Sequence, residues 1–248
     1  MYVAIAAFAG LIIGSFLNVV IAREPKGESI LGRSHCPGCG AQIRVRDNIP
    51  VLSWLLLRGR CRDCGEPISK QYPLVELLTA ILYALIVAVH GDDTTQLVLD
   101  LVLVTFLVPI TFIDLDVQRI PNVLTASAAV LGLILGTALD PGGEVERLIA
   151  GAAAAAFLGL PALINPKGMG LGDAKLTGVM GLYLGAAVAP AILIGLVTGV
   201  VVGIGVVAMR GMADGRRTRI PFGPFLSFGA VVAMFWGQAI IDWYLDTF

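Results

Sequence analysis

The sequence predicts an all-α polytopic membrane protein, with about eight transmembrane helices and one small polar domain between the first and second. Three observations carry this. Of 248 residues, 57% are apolar and only 14% charged, against roughly 25% charged in ordinary soluble domains. Mean hydropathy is +0.86. The apolar residues fall into runs of membrane-crossing length, and the polar ones collect between them. So few charges cannot cover a soluble globule, and so much apolar mass excludes a disordered chain. A net charge of −1 leaves no overall signature of nucleic-acid binding.

A helix needs about 20 apolar residues to cross the hydrocarbon core. Tyr2–Ala22 carries no charge and is followed by Arg23 and Glu24. It lacks the small-residue cleavage site of a signal peptide, so it reads as a retained span. A polar stretch of about 50 residues follows. The further runs are Pro73–Val89, Leu97–Ile113, Val123–Leu139, Leu148–Leu163, Leu176–Pro190, Ala191–Met209 and Phe222–Tyr244. The weakest boundary is at Ala186–Pro190, where only a short turn is available. Gly- and Ala-rich stretches such as Gly151–Ala156 suit close helix packing in lipid.

Basic residues orient these spans. With eight crossings and the polar stretch in the cytoplasm, sixteen of the 17 Lys and Arg residues fall on the cytoplasmic side, and only Arg147 lies opposite. The opposite face collects Asp92, Asp93, Asp140, Glu144, Glu146, Asp242 and Asp246. The positive-inside rule then places both termini outside. Seven spans would break the asymmetry.

The four cysteines all lie in the first polar stretch, as Cys36-Pro-Gly-Cys39-Gly and Cys61-Arg-Asp-Cys64-Gly. A cytoplasmic location is reducing and disfavours disulfides. Two Cys-x-x-Cys knuckles 21 residues apart can present four thiolates to zinc, with Gly40 and Gly65 allowing the tight turn after each. The alternative is a redox dithiol or four free thiols. Four-thiolate coordination leaves no open position, so such a zinc is structural. It suits a loop too short and polar to build a large core.

Two acidic segments stand apart from ordinary loop charges. The third span ends in Ile113-Asp114-Leu-Asp116-Val-Gln-Arg-Ile-Pro121-Asn122. The sixth is preceded by Gly168-Met-Gly170-Leu-Gly172-Asp173-Ala-Lys175. One helix arrives at the cytoplasmic face and the other departs from it, so Asp114 and Asp173 can share a depth. Each alone reads as an interfacial charge or a helix cap. A carboxylate near hydrocarbon is costly and commonly marks function, and the alternating glycines permit close approach of another chain. No strand or Walker pattern supports a nucleotide loop. Facing carboxylates can share one proton, activate a water and protonate a carbonyl, which is amide hydrolysis without a nucleophilic side chain. The only histidines, His35 and His90, form no competing catalytic set.

These segments together resemble the type IV prepilin peptidases, GxGD-type intramembrane aspartyl proteases that also N-methylate their product. The match runs in order along nearly the whole chain. It comprises Gly14-Ser-Phe-Leu-Asn18, the two cysteine knuckles, Asp47-Asn-Ile-Pro50 with Ser53-Trp54, Tyr72-Pro-Leu-Val-Glu76, the Asp114 segment and Gly170-Leu-Gly172-Asp173-Ala-Lys175. The resemblance implies Asp114 and Asp173 as the catalytic pair, with Gly170, Gly172 and Lys175 in the active-site loop and Asp116 outside the pair. Asn122 departs from the Asp found in many relatives. The implied substrates are prepilins and pseudopilins, each a basic leader ending in Gly before a hydrophobic helix. The implied methyl donor is S-adenosylmethionine. No residue pattern reveals its site. Glu76, inside the apolar start of the second span, is a candidate there and equally a structural hydrogen-bond partner. The implied domains are a first helix (1–22), a cytoplasmic zinc-binding domain (23–72) and a seven-helix peptidase domain (73–248), in a bacterial inner membrane. The competing classes are a transporter, which lacks an internal repeat and midplane acids here, and a non-enzymatic scaffold, which leaves the Gly-flanked Asp173 unexplained.

Overall fold

The computed structural model describes residues 1–164, 170–211 and 220–247. Gly168, Lys167, Arg216, Arg217 and Arg219, used in the sequence reading, lie outside the described residues. The regular elements among the described residues are helices, without a strand. The chain divides into two compact units, Met1–Asp92 and Asp93–Phe248.

The first unit contains α1 (Tyr2–Arg23), a one-turn helix α2 (Leu52–Leu56) and α3 (Gln71–His90). α1 and α3 pack antiparallel in steps of four residues. Gly10 lies against the Ala80 backbone, Gly14 against the Glu76 backbone, and the Asn18 side-chain amide donates to the Tyr72 carbonyl at 3.0 Å. A Cβ at Gly10 would lie 2.6 Å from Ala80 Cα, and one at Gly14 would lie 2.7 Å from Glu76 Cα. This is the small-xxx-small contact through which membrane helices approach backbone to backbone. It explains why the unit boundary falls after α3 and not at the end of the polar loop.

The second unit contains α4 (Thr94–Val117), α5 (Asn122–Leu139), α6 (Glu144–Ile164), α7 (Leu171–Leu184), α8 (Val188–Arg210) and α9 (Gly223–Thr247). Seven helical stretches are long and apolar enough to cross a membrane, and the longest, Leu171–Met209, has 39 residues. That stretch folds back on itself. A 3-10 turn at Gly185–Ala187, with Gly185 at φ +55°, separates α7 from α8. α7 runs antiparallel to α6, with Gly151 against Gly181 and Gly159 against Ala174, and α8 returns beside α6 and antiparallel to α9, with Ala187 at Gly237 and Gly199 at Phe222. The described residues of this unit therefore form six helices, and the break falls beside the boundary the sequence left weakest. At 14 residues, α7 rises only about 21 Å, short of the roughly 30 Å core.

Arg147, the lone basic residue of its side in the sequence count, is buried at the turn between α5 and α6. It donates to Asp140 Oδ2 at 2.8 Å, Glu144 Oε2 at 3.2 Å, and the Gly136 and Asp140 carbonyls at 3.1 and 2.6 Å. Arg147 holds the Asp140 carboxyl below the usual range, helped by the Gly143 backbone N–H. Two acids and two carbonyls thus compensate a guanidinium that would be costly alone.

Candidate active site and metal site

In the second unit the buried stripe of α4 runs through Leu103, Leu107, Ile110 and Asp114 at helical spacing. The stripe thus carries a carboxylate inward at the end of a hydrophobic helix. Asp114 is 5% exposed, and Asp116, two residues on, is exposed. The helix stops at Gln118, which takes the left-handed conformation (φ 52°) and donates its N–H to the Asp114 carbonyl. Ile120 then packs against the first turn of α7. A Cβ at Gly172 would lie 3.1 Å from Ile120 Cβ, so glycine is what lets these two segments meet closely.

Gly170 is the N-cap of α7, and Asp173 stands in its first turn with its N–H on the Gly170 carbonyl at 3.1 Å. An acid in a first turn is favoured by the positive end of the helix dipole. Asp173 is half-buried and lies within electrostatic range of Asp114. The two acids singled out from sequence therefore stand near each other, one at the end of α4 and the other in the first turn of α7. Lys175 does not join them. It lies on another face of α7 and donates to Asn122 Oδ1 at 2.9 Å, bracing the start of α5 against the start of α7.

Two residues escaped the sequence reading. The backbone N–H of Gly223, at the start of α9, donates to Asp114 Oδ2 at 2.9 Å in a buried contact across 109 positions. Its only linear signal is a glycine between prolines, Pro221-Phe-Gly223-Pro224, opening the last span. Asp100 is fully buried inside α4, with the Gln96 side-chain amide 3.3 Å from both carboxylate oxygens. It hides in an apolar run, about 21 Å along the helix from Asp114, too far to share its chemistry.

In the first unit each cysteine knuckle is a miniature hairpin. Cys36 N–H bonds the Ala41 carbonyl and Gly40 N–H the Cys36 carbonyl. Cys61 N–H bonds Glu66 and Gly65 N–H bonds Cys61 in the same pattern. Gly40 and Gly65 have φ of +69° and +75°, the conformation that favours glycine. All four cysteines are free thiols, and their sulfurs lie within 4.8 Å of one another, with Cys36 and Cys64 at 3.7 Å. Zn–S bonds of about 2.3 Å at tetrahedral angles put sulfurs about 3.8 Å apart, so the cluster fits zinc. The metal-free thiols differ. Backbone N–H groups of Cys39 and Gly38 lower Cys36 to about 7. At Cys64 the Glu66 backbone favours the thiolate, but desolvation and the sulfurs of Cys39, Cys61 and Cys36 outweigh it and push the group up to about 12.

Arg62 clasps Asp47 at 2.6–3.1 Å, and Arg44 meets Asp63 at 2.9 Å, tying the two knuckles together. Ser53 Oγ accepts the Ile49 N–H and donates to the Arg46 carbonyl. Glu76 is buried on α3. Its Oε2 accepts the Val51 N–H at 2.7 Å, with the Ser15 hydroxyl also beside it. Val51 has φ +59°, a genuine outlier for a β-branched residue, and the Glu76 bond holds it there.

The fold and these residues define a class: polytopic helical membrane proteins with two acids near one another at helix ends and a four-cysteine cluster that could hold a metal ion. The chain belongs to the type IV leader peptidase family. The bacterial peptidase A24 N-terminal domain matches residues 8–90, and the type IV leader peptidase domain matches residues 101–204. A prepilin leader peptidase/N-methyltransferase of Aeromonas hydrophila is 36% identical, over 100% of this chain and 95% of the relative. One from Legionella pneumophila is 37% identical, over 99% and 94%. One from Myxococcus xanthus is 42% identical, over 84% of this chain and 64% of the relative. No solved structure matches the chain.

Proposed function

We propose that this protein cleaves the basic leader from type IV prepilins and pseudopilins, and N-methylates the new N-terminus with S-adenosylmethionine. The proximity of Asp114 at the end of α4 to Asp173 in the first turn of α7 carries the peptidase reading. The two carboxyls hold one proton between them. The ionised one takes a proton from water as the water oxygen attacks the carbonyl carbon of the leader's last glycine. The protonated one hydrogen-bonds and then protonates the carbonyl oxygen. Collapse of the tetrahedral species breaks the C–N bond, and the amine leaves with a proton returned from the pair. Gly170 and Gly172 let the chain run close to Asp173. Lys175 braces the start of α7 against α5 through Asn122 and takes no proton in the reaction.

Cys36, Cys39, Cys61 and Cys64 hold one structural zinc. It supplies a crosslink between the two knuckles and no open coordination site. S-adenosylmethionine supplies the methyl group. Glu76 is the candidate for methyl transfer, and its bond to the Val51 N–H favours a structural role for it.

The protein sits in the bacterial inner membrane with both termini outside. The cysteine loop and the aspartates are at the cytoplasmic face, where a prepilin keeps its leader. The distribution of Lys and Arg supports this orientation. In intact cells an impermeant thiol reagent should label Asp92→Cys and spare Leu31→Cys; the reverse would overturn the orientation. The function is tested by incubating purified protein with prepilin, with and without S-adenosylmethionine, and weighing the products. Expected is leader loss in both and a methyl gain only with the donor. Cleavage without methyl gain would remove the transferase, and an unchanged prepilin would remove both.

A further inference from the structure

The contact between Gly223 and Asp114 is unusual among the polar contacts of the second unit. It joins the start of the last helix to the end of α4 through a backbone donor and a buried carboxylate. Gly223 opens α9, so its N–H belongs to the first turn, whose donors have no partner inside their own helix. The prolines on either side of Phe222-Gly223 provide no N–H of their own. The contact also leaves no room for a side chain. A Cβ at position 223 would lie 2.7 Å from Asp114 Oδ2, 3.2 Å from Cγ and 3.4 Å from Cβ. Glycine therefore serves here by letting a main chain reach the carboxylate, since its φ is not in the left-handed region.

We propose that Gly223 is a positioning residue for leader cleavage: its N–H pins Asp114 Oδ2 and turns Oδ1 toward the water and Asp173. This rests on the reading of Asp114 and Asp173 as the catalytic pair. A carboxylate on α4 alone keeps rotational freedom about its side-chain bonds. One backbone donor fixed in a helix end removes that freedom without adding a group that could itself titrate. α9 thereby becomes part of the active site without contributing a reactive side chain.

The test is an amide-to-ester exchange at position 223, glycolate in place of glycine, made by nonsense suppression in nanodiscs. It removes the N–H and adds no volume. Gly223→Ala is the second variant, and Asp114→Asn runs beside both. Three quantities are read: kcat and KM for prepilin cleavage, and methyl transfer to pilin whose leader is already removed. The ester should lower the cleavage kcat about 10- to 100-fold, the range for one hydrogen bond to a charged group. KM should stay within about twofold and methyl transfer should be unchanged. Gly223→Ala should lose at least as much cleavage, because its methyl displaces the carboxylate. An ester enzyme with full kcat, beside an inactive Asp114→Asn, would overturn the role of Gly223 and leave the pair standing. Loss of both activities together, or a change confined to KM, would make the contact merely structural. Wild-type cleavage by Asp114→Asn would overturn the pair itself and this inference with it.

Discussion

Asp114→Asn and Asp173→Asn should each abolish leader cleavage while leaving the protein folded. Asn is nearly isosteric with Asp and keeps an acceptor oxygen, so at position 114 the Gly223 N–H, 2.9 Å from Oδ2, retains its partner. The stability change should then stay within about 1 kcal/mol, or about 2–4 °C in thermal midpoint for a chain of this size. The catalytic loss should be much larger. Asn cannot take a proton from water at neutral pH, and a positioned general acid or base contributes about 10²- to 10⁴-fold, or roughly 3–5.5 kcal/mol. The double variant should be no slower than either single one, because one missing member already stops the shared-proton cycle. Asp116→Asn is the internal control. It is exposed where Asp114 is 5% exposed, and two residues of helix rotate it by about 200°. Its cleavage rate should stay within about threefold of wild type. Gel-shift or mass-spectrometric assay of prepilin, paired with thermal unfolding of each variant, separates chemistry from stability. Normal cleavage by Asp173→Asn would refute the paired-aspartate mechanism. Loss in Asp116→Asn with activity kept in Asp114→Asn would show that a different carboxylate partners Asp173.

Metal analysis of the purified protein should find one zinc per chain, and Cys61→Ser with Cys64→Ser should lose it and make loop 23–72 protease-sensitive; an unchanged zinc content would exclude these ligands. Gly14→Ala brings a methyl to 2.7 Å from Glu76 Cα, nearly 1 Å inside ordinary carbon contact. Because that neighbour is backbone, the helices must separate, at a cost of about 1–3 kcal/mol read as a lowered unfolding midpoint; no change would mean that α1 and α3 do not pack this closely. Asp140 lies below the usual carboxylate range because Arg147 pairs with it, so its contribution is complete above the ordinary carboxylate value of about 4 and is lost as pH falls through the lowered one. The midpoint of Asp140→Asn should accordingly lie below wild type by a constant amount from pH 5 to 8, and a gap that closes within that window would contradict the ion pair.

The membrane class, the eight helices and the two cysteine knuckles were legible in the linear chain because each depends on local properties. A run of apolar residues crosses lipid wherever it occurs, and Cys-x-x-Cys-Gly forms its own hairpin, as the positive φ of Gly40 and Gly65 bears out. Asp114 and Asp173 were legible for a related reason, since a carboxylate at the end of an apolar span is anomalous in its own neighbourhood. The residues that act through distant contacts were not. Gly223 reads as one of 30 glycines until α9 folds beside α4. Gly10 and Gly14 read as spacing within an apolar run until α3 brings Ala80 and Glu76 against them. Lys175, beside Asp173 in the chain, turned out to bond Asn122, because neighbours two apart on a helix face different partners. Composition and local pattern determined what the chain is and singled out the two acids proposed for its chemistry. Only tertiary packing decided what holds those acids, because backbone hydrogen bonds and glycine contacts carry no side-chain signature in the sequence.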